Sequence, residues 1–140
     1  MCSIRTAESV CAGHPDKLAD QIADQILDDI LYDDKAARVA VEVMAAGRRI
    51  IVTGEITTNH RPRIRESVRT ALARAGYSPL GILIYVWTRR QSSDINAGVT
   101  TSLEARGGDS SAFALQGAGD QGTVYGYATA ETPERLPLPL

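Results

Sequence analysis

The stretch "ARVAVEVMAAGRRIIVTGEITT", residues 37–58, decides the fold. Val39, Val41 and Val43 alternate along its first half, and Ile50, Val52 and Ile56 share one side of its second half. Apolar residues at a period of two mark half-buried strands, and two such runs around a break near Ala46 and Gly47 predict a β-hairpin. The opposite sides carry Ala40, Glu42 and Met44 on one strand, and Ile51, Thr53, Glu55 and Thr57 on the other. A two-residue turn sets Glu42 and Glu55 on one face and brings Arg38 opposite Glu55, where a salt bridge is the plain structural role for the acid. That face is too apolar for open water, so a covering partner is expected.

Working outward, Pro15 suits the first turn of a helix, and Leu18, Ile22, Ile26 and Ile30 recur with helical spacing. Pro62 opens a second helix with Ile64, Val68 and Leu72 in phase, and Gly76 closes it. "GILIYVWT" (81–88) reads as a strand covered on both faces because its apolar run is nearly unbroken. From Arg89 to Gln116 no period survives, as in a lid, a binding loop or a disordered segment. "GTVYGYAT" (122–129) is a further strand candidate. The order predicts an α/β (α+β) sheet-and-helix unit of βαββαβ type that lacks its first strand. Residues 1–88 would form that unit, 89–116 a long loop, and 117–140 the "GAGDQG" motif and its following strand.

A chain of 140 residues suits one domain. Its formal net charge of -2 argues against a nucleic-acid partner, which would want a basic face. An RNA-binding sheet would also want stacking aromatics, yet Phe113, the lone phenylalanine, lies outside the expected strands. Cys2 and Cys11 make neither a disulfide framework nor a metal set. No apolar run approaches membrane-spanning length and no signal core is evident, so a cytoplasmic setting is expected.

"AGHPDKLAD" (12–20) carries more ionisable chemistry than a helix start requires. Helix-terminal amides, His14 and Lys17 could meet phosphate, but Asp16 would repel it unless Mg²⁺ bridged the two. The plain alternative is that Asp16 complements the helix dipole and Lys17 is a surface residue. "GAGDQG" (117–122) satisfies G-x-G-x-x-G without the strand and helix that a dinucleotide fingerprint needs. With His14 and His60 the only histidines and no nucleophile elbow, hydrolase triads have no support.

"AESVCAGHPDKLADQI", "VTGEITT", "RQSSDINAGV", "GAGDQG" and "YGYATAETPERLPLP", in this order, closely resemble the S-adenosylmethionine synthetase (methionine adenosyltransferase) family, as its N-terminal third. The resemblance implies formation of S-adenosylmethionine from ATP and L-methionine, with release of phosphate and pyrophosphate. It assigns His14 to the triphosphate as a catalytic contact, Asp16 to Mg²⁺ and Glu42 to K⁺, with Lys17 secondary. Glu55 matches the acid that receives the methionine amino group. Gln91 and Ile95 match methionine contacts at the gating loop, beside Asp94. Asp120 and Glu8 match positions near the nucleotide. Sites of this family lie between two subunits, which implies a sheet-face dimer. Ser93 and Ala97 replace a usual proline and glutamine, and "VCAG" lacks a usual acid. His14 and Lys17 alone offer too little positive charge for a triphosphate, so a complementary chain in a hetero-oligomer is expected to supply the rest. The alternative is a non-catalytic regulatory or assembly subunit docking on a complete synthetase.

Overall fold

The computed structural model describes residues 4–92, 102–116, 123 and 125–140. Its centre is the expected hairpin. Strand β1 (Arg38–Ala46) pairs antiparallel with β2 (Arg49–Thr57), and the last pair, Ala46 with Arg49, leaves a two-residue turn. Gly47 takes the first central position at φ 57°, the left-handed conformation that primed hairpin turns demand there. Glu42 and Glu55 fall on one face, as the alternation predicted. Arg38 stands opposite Thr57 rather than Glu55, whose partner on β1 is Ala40.

Helix α1 (Pro15–Asp33) precedes the hairpin, and α2 (Ile64–Arg74) carries the chain from β2 to β3 (Leu83–Arg89). β3 pairs parallel with β2, giving the sheet order β1-β2-β3. The α/β class holds. Within it, β2 and β3 bond directly, so this βαβ crossover is not split by another strand. Both helices cover one face: Ile22 and Ile26 of α1, Val68 and Leu72 of α2, and Ile50 and Val52 of β2 are buried together. Val39, Val41, Val43, Ile84 and Val86 pack against that cluster.

The other face is bare among the described residues. Leu83, Tyr85 and Trp87 are exposed along β3, and Met44 joins them from β1. The two-sided cover expected for "GILIYVWT" is therefore absent among the described residues. The apolar run arises because both faces of the strand are apolar, while only one meets helices.

Two short helices, α3 (Leu103–Arg106) and α4 (Ala112–Gln116), occupy the described part of the period-free stretch. Ser102 joins them: its hydroxyl accepts from the Ala105 amide at 3.1 Å and donates to the Ala114 carbonyl at 2.7 Å. The strand expected near "GTVYGYAT" is not formed by Tyr125–Thr129, which bond to no neighbouring strand. Tyr125 and Tyr127 are exposed, so no packed face holds that segment against the sheet.

Candidate functional site

His14 is the N-cap of α1. Its backbone is extended, and its Nδ1 accepts from the Asp16 amide at 3.3 Å. Pro15 follows at the helix start, where its missing N–H leaves no bond unmade. An imidazole thus does the work usually given to Ser or Asp. With Nδ1 accepting, the neutral ring carries its proton on Nε2, which makes that nitrogen a donor. Lys17 Nζ donates to the Val10 carbonyl at 2.9 Å, and Tyr77 Oη donates to the Gly13 carbonyl at 2.9 Å. The loop before α1 is therefore pinned to the exit of α2. Asp16 is exposed and its carboxylate has no partner among the described residues.

Glu55 lies near the end of β2. Its side chain is only 14% exposed, and Arg89, its register partner on β3, reaches one carboxylate oxygen through both Nε and Nη2 at 3.0 Å. The salt bridge anticipated for Glu55 exists, but with Arg89. Gly54 brings this acid into place: its φ of 123° suits glycine alone, and β1 passes so close that a Cβ would lie 2.1 Å from the Ala40 carbonyl oxygen. Just past β3, the Gln91 backbone amide donates to Thr57 Oγ1 at 3.4 Å, while Gln91 Oε1 is buried with no hydrogen-bond partner among the described residues. Glu42 sits opposite Thr53 on the same bare face.

These two clusters are not neighbours within one chain. The carboxylate of Asp34, just past α1, accepts from Thr58 Oγ1 at 2.9 Å and from the Asn59 amide at 2.8 Å. Those bonds hold its carboxyl below the usual carboxylate range. They also fasten the end of α1 to the exit of β2. The 19 residues of α1 then place His14 and Asp16 about 28 Å away, at the turn end of the sheet. Glu8 lies elsewhere again, lining a cleft of about 530 Å³ with Arg5, Tyr127 and Glu131. Asp94, Ile95 and Asp120 lie outside the described residues.

Sequence reasoning missed Arg89 and Tyr77. Arg89 reaches Glu55 only through the parallel pairing of "TGE" with "WTR", a register that no local sequence signal sets. No group of three His, Cys, Asp or Glu residues converges on a metal position among the described residues. Asp16 offers one free carboxylate, which fits a Mg²⁺ that takes its other ligands from phosphate and water. Glu42 likewise offers only a single acid, so K⁺ there would need further oxygens. No helix is long and apolar enough to cross a membrane, among the described residues.

Residues 3–96 match the model of the S-adenosylmethionine synthetase N-terminal domain, and residues 115–140 match that of its central domain. S-adenosylmethionine synthase of Finegoldia magna is 48% identical over 142 positions, covering 96% of this chain and 36% of its own length. That of Nocardia farcinica is 45% identical over 145 positions, covering 96% and 35%. The chain thus spans about a third of these curated relatives. A solved structure, an S-adenosylmethionine synthetase from Campylobacter jejuni, superposes with a TM-score of 0.55 at 38% identity, over 61% of this chain and 26% of that one. The ordered motifs, the helix–hairpin–helix–strand unit and these matches place the chain in the S-adenosylmethionine synthetase family.

Proposed function

We propose that this chain supplies the N-terminal share of a methionine adenosyltransferase site that forms S-adenosylmethionine from ATP and L-methionine. The methionine sulfur attacks C5′ of the ribose, and the bond from C5′ to the triphosphate oxygen breaks. The sulfur becomes a sulfonium, and the triphosphate leaves with the electron pair. Hydrolysis then gives phosphate and pyrophosphate. No group on this chain need be covalently modified, so its contribution is alignment and charge.

The observation that carries the reading is a pair of incomplete clusters at opposite ends of the sheet. At the exit end, Glu55 and the unpartnered Oε1 of Gln91 are acceptors suited to the methionine ammonium. At the turn end, His14 Nε2 is a donor suited to a phosphate oxygen, and Asp16 is the acid that would hold Mg²⁺. When bound, that ion would neutralise part of the leaving polyanion. K⁺ at Glu42, nucleotide contacts from Glu8 and Asp120, gating by the segment around Asp94 and Ile95, and a lesser role for Lys17 complete the assignment. A dimer formed through the bare face joins the two clusters across the interface. The cations still required for the triphosphate come from a complementary chain carrying the downstream family segments. Cys11, free and exposed, suits a reducing cytoplasm.

Two experiments test this reading. Mixing the chain with that complementary chain should produce S-adenosylmethionine from ATP and methionine above the level of either alone, and no gain overturns it. In the complemented assembly, His14→Asn and Glu55→Gln should each abolish turnover. Co-refolding the two variants should restore about a quarter of it, because half the twofold dimers regain one intact site. Full turnover by either variant alone would point instead to a non-catalytic assembly subunit.

A further inference from the structure

Arg89 and Glu55 face each other on adjacent strands, yet their environments differ sharply. The carboxylate is 14% exposed and the guanidinium 79% exposed. They share a depression of about 440 Å³ with Thr53, Gly54, Trp87 and Thr88, on the bare side of the sheet. The pair is only half used. Arg89 spends Nε and Nη2 on one oxygen of Glu55, which leaves Nη1 and the second carboxylate oxygen without partners among the described residues. A guanidinium carries five donors and a carboxylate about four acceptor positions, so both groups can take a further ligand without separating.

We propose that Arg89 holds the α-carboxylate of the amino acid whose ammonium group Glu55 receives. The inference rests on the placement of methionine at Glu55 proposed above. The chemistry matches in three respects. An α-amino acid presents its nitrogen and carboxylate carbon about 2.5 Å apart, a span set by two bonds and a tetrahedral angle. The free edges of a guanidinium and a carboxylate held at 3.0 Å offer opposite charges on the same scale. Trp87, 70% exposed beside them, gives a thioether side chain an aromatic surface, a contact that sulfur favours. Zwitterion, apolar chain and sulfur each meet a suitable group. Arg89 is thereby a specificity residue: it selects a free amino acid over its amide or alcohol.

Trp87 is the sole tryptophan in the chain, so its fluorescence reads this depression directly. The test titrates the chain with L-methionine and with L-methioninol, which keeps the ammonium and the thioether but lacks the carboxylate. L-methionine is expected to bind about tenfold more tightly than methioninol, as for loss of a charge-assisted hydrogen bond. Arg89→Ala should erase that difference while leaving methioninol unchanged. Arg89→Lys should recover part of it, and Glu55→Gln should weaken both ligands. Equal binding of the two ligands to the unmodified chain overturns the role of Arg89 and leaves Glu55 as the ammonium acceptor. Tighter methionine binding by Arg89→Ala also overturns it, since Arg89 would then compete with the ligand for Glu55. A fluorescence response to neither ligand removes the methionine position at Glu55 itself, and this inference with it.

Discussion

Gly54→Ala should damage this protein far more than Gly47→Ala, although both replace a glycine at positive φ. At Gly47, φ is 57° and an added Cβ meets nothing within 4 Å. The left-handed conformation costs an L-residue about 1–2 kcal/mol, partly offset by the lower entropy of the unfolded alanine chain. A net loss of about 1 kcal/mol follows for Gly47→Ala. At Gly54, φ is 123°, and the new Cβ would lie 2.1 Å from the Ala40 carbonyl oxygen and 2.9 Å from the Val41 Cα. Both are backbone atoms of β1, so no side chain can swing aside. Dihedral strain contributes roughly 1–3 kcal/mol and overpacking roughly as much again, for about 4 kcal/mol in total. Urea unfolding followed by circular dichroism measures both variants. With a slope near 2 kcal/mol per molar, a 3 kcal/mol difference separates the midpoints by roughly 1.5 M. Midpoints within about 0.3 M of each other at equal slope would refute the close approach of β1 to β2 at this position. Because Glu55 follows Gly54, a destabilised hairpin should also loosen the pairing of Glu55 with Arg89.

Ile26 is fully buried between α1 and the sheet, so Ile26→Ala should cost about 2–5 kcal/mol in the same unfolding assay. The hydrogen bonds from Asn59, Thr58 and Ala36 favour the ionised form of Asp34 and lower its folded pKa below the ordinary aspartate value of 3.8. Its contribution to stability is therefore complete above that value and lost as pH falls through the lower folded pKa. Asp34→Asn should flatten the acid limb of the stability–pH profile below about pH 4; an unchanged limb would contradict the clasp. Trp87→Lys should change the unfolding free energy of the monomer by no more than about 0.5 kcal/mol, as for an exposed surface site, while sedimentation shows loss of self-association. Undiminished association by that variant would place the dimer contact elsewhere.

Much of the framework could be read from residue order because its signals are local. The hairpin followed from the alternation of Val39, Val41 and Val43 with Ile50 and Val52, and α1 from the spacing of Leu18, Ile22, Ile26 and Ile30. What escaped depends on which strand lies beside which. The partner of Glu55 was assigned to Arg38 because only the hairpin register could be inferred. The actual partner arrives through the parallel pairing of β3, set by a crossover of 25 residues between Thr57 and Leu83. Tyr77 is linked to Gly13 across 64 positions, and no periodicity encodes such a contact. Burial failed as a guide at Tyr85 and Trp87 for a different reason. An apolar strand face looks the same in sequence whether it meets helices of its own chain or a surface supplied from outside. His14 shows the converse: the resemblance assigned it to a phosphate contact, and it also caps the start of a helix.

The separation of the two clusters has a topological cause. Only four residues, 34–37, join α1 to β1, so a helix packed on this sheet must run back along the strand it precedes. Its start therefore lies a full helix length from the Asp34 clasp, and the clasp is bonded to the exit of β2. No choice of side chain changes this. A residue capping α1 and a residue near the exit of β2 must stand at opposite ends of one protomer. Within one protomer of this element order the His14 cap and Glu55 cannot converge on one point; the dimer proposed above brings residues of two protomers together instead. When bare sheet faces meet about a twofold axis lying in the interface and crossing the strands, the partner's strands run reversed. The turn end of one protomer then faces the exit end of the other. In the dimer proposed above, burying Met44, Tyr85 and Trp87 would remove exposed hydrophobic area from water and bring the turn end of one protomer, where α1 begins, beside the exit end of its partner.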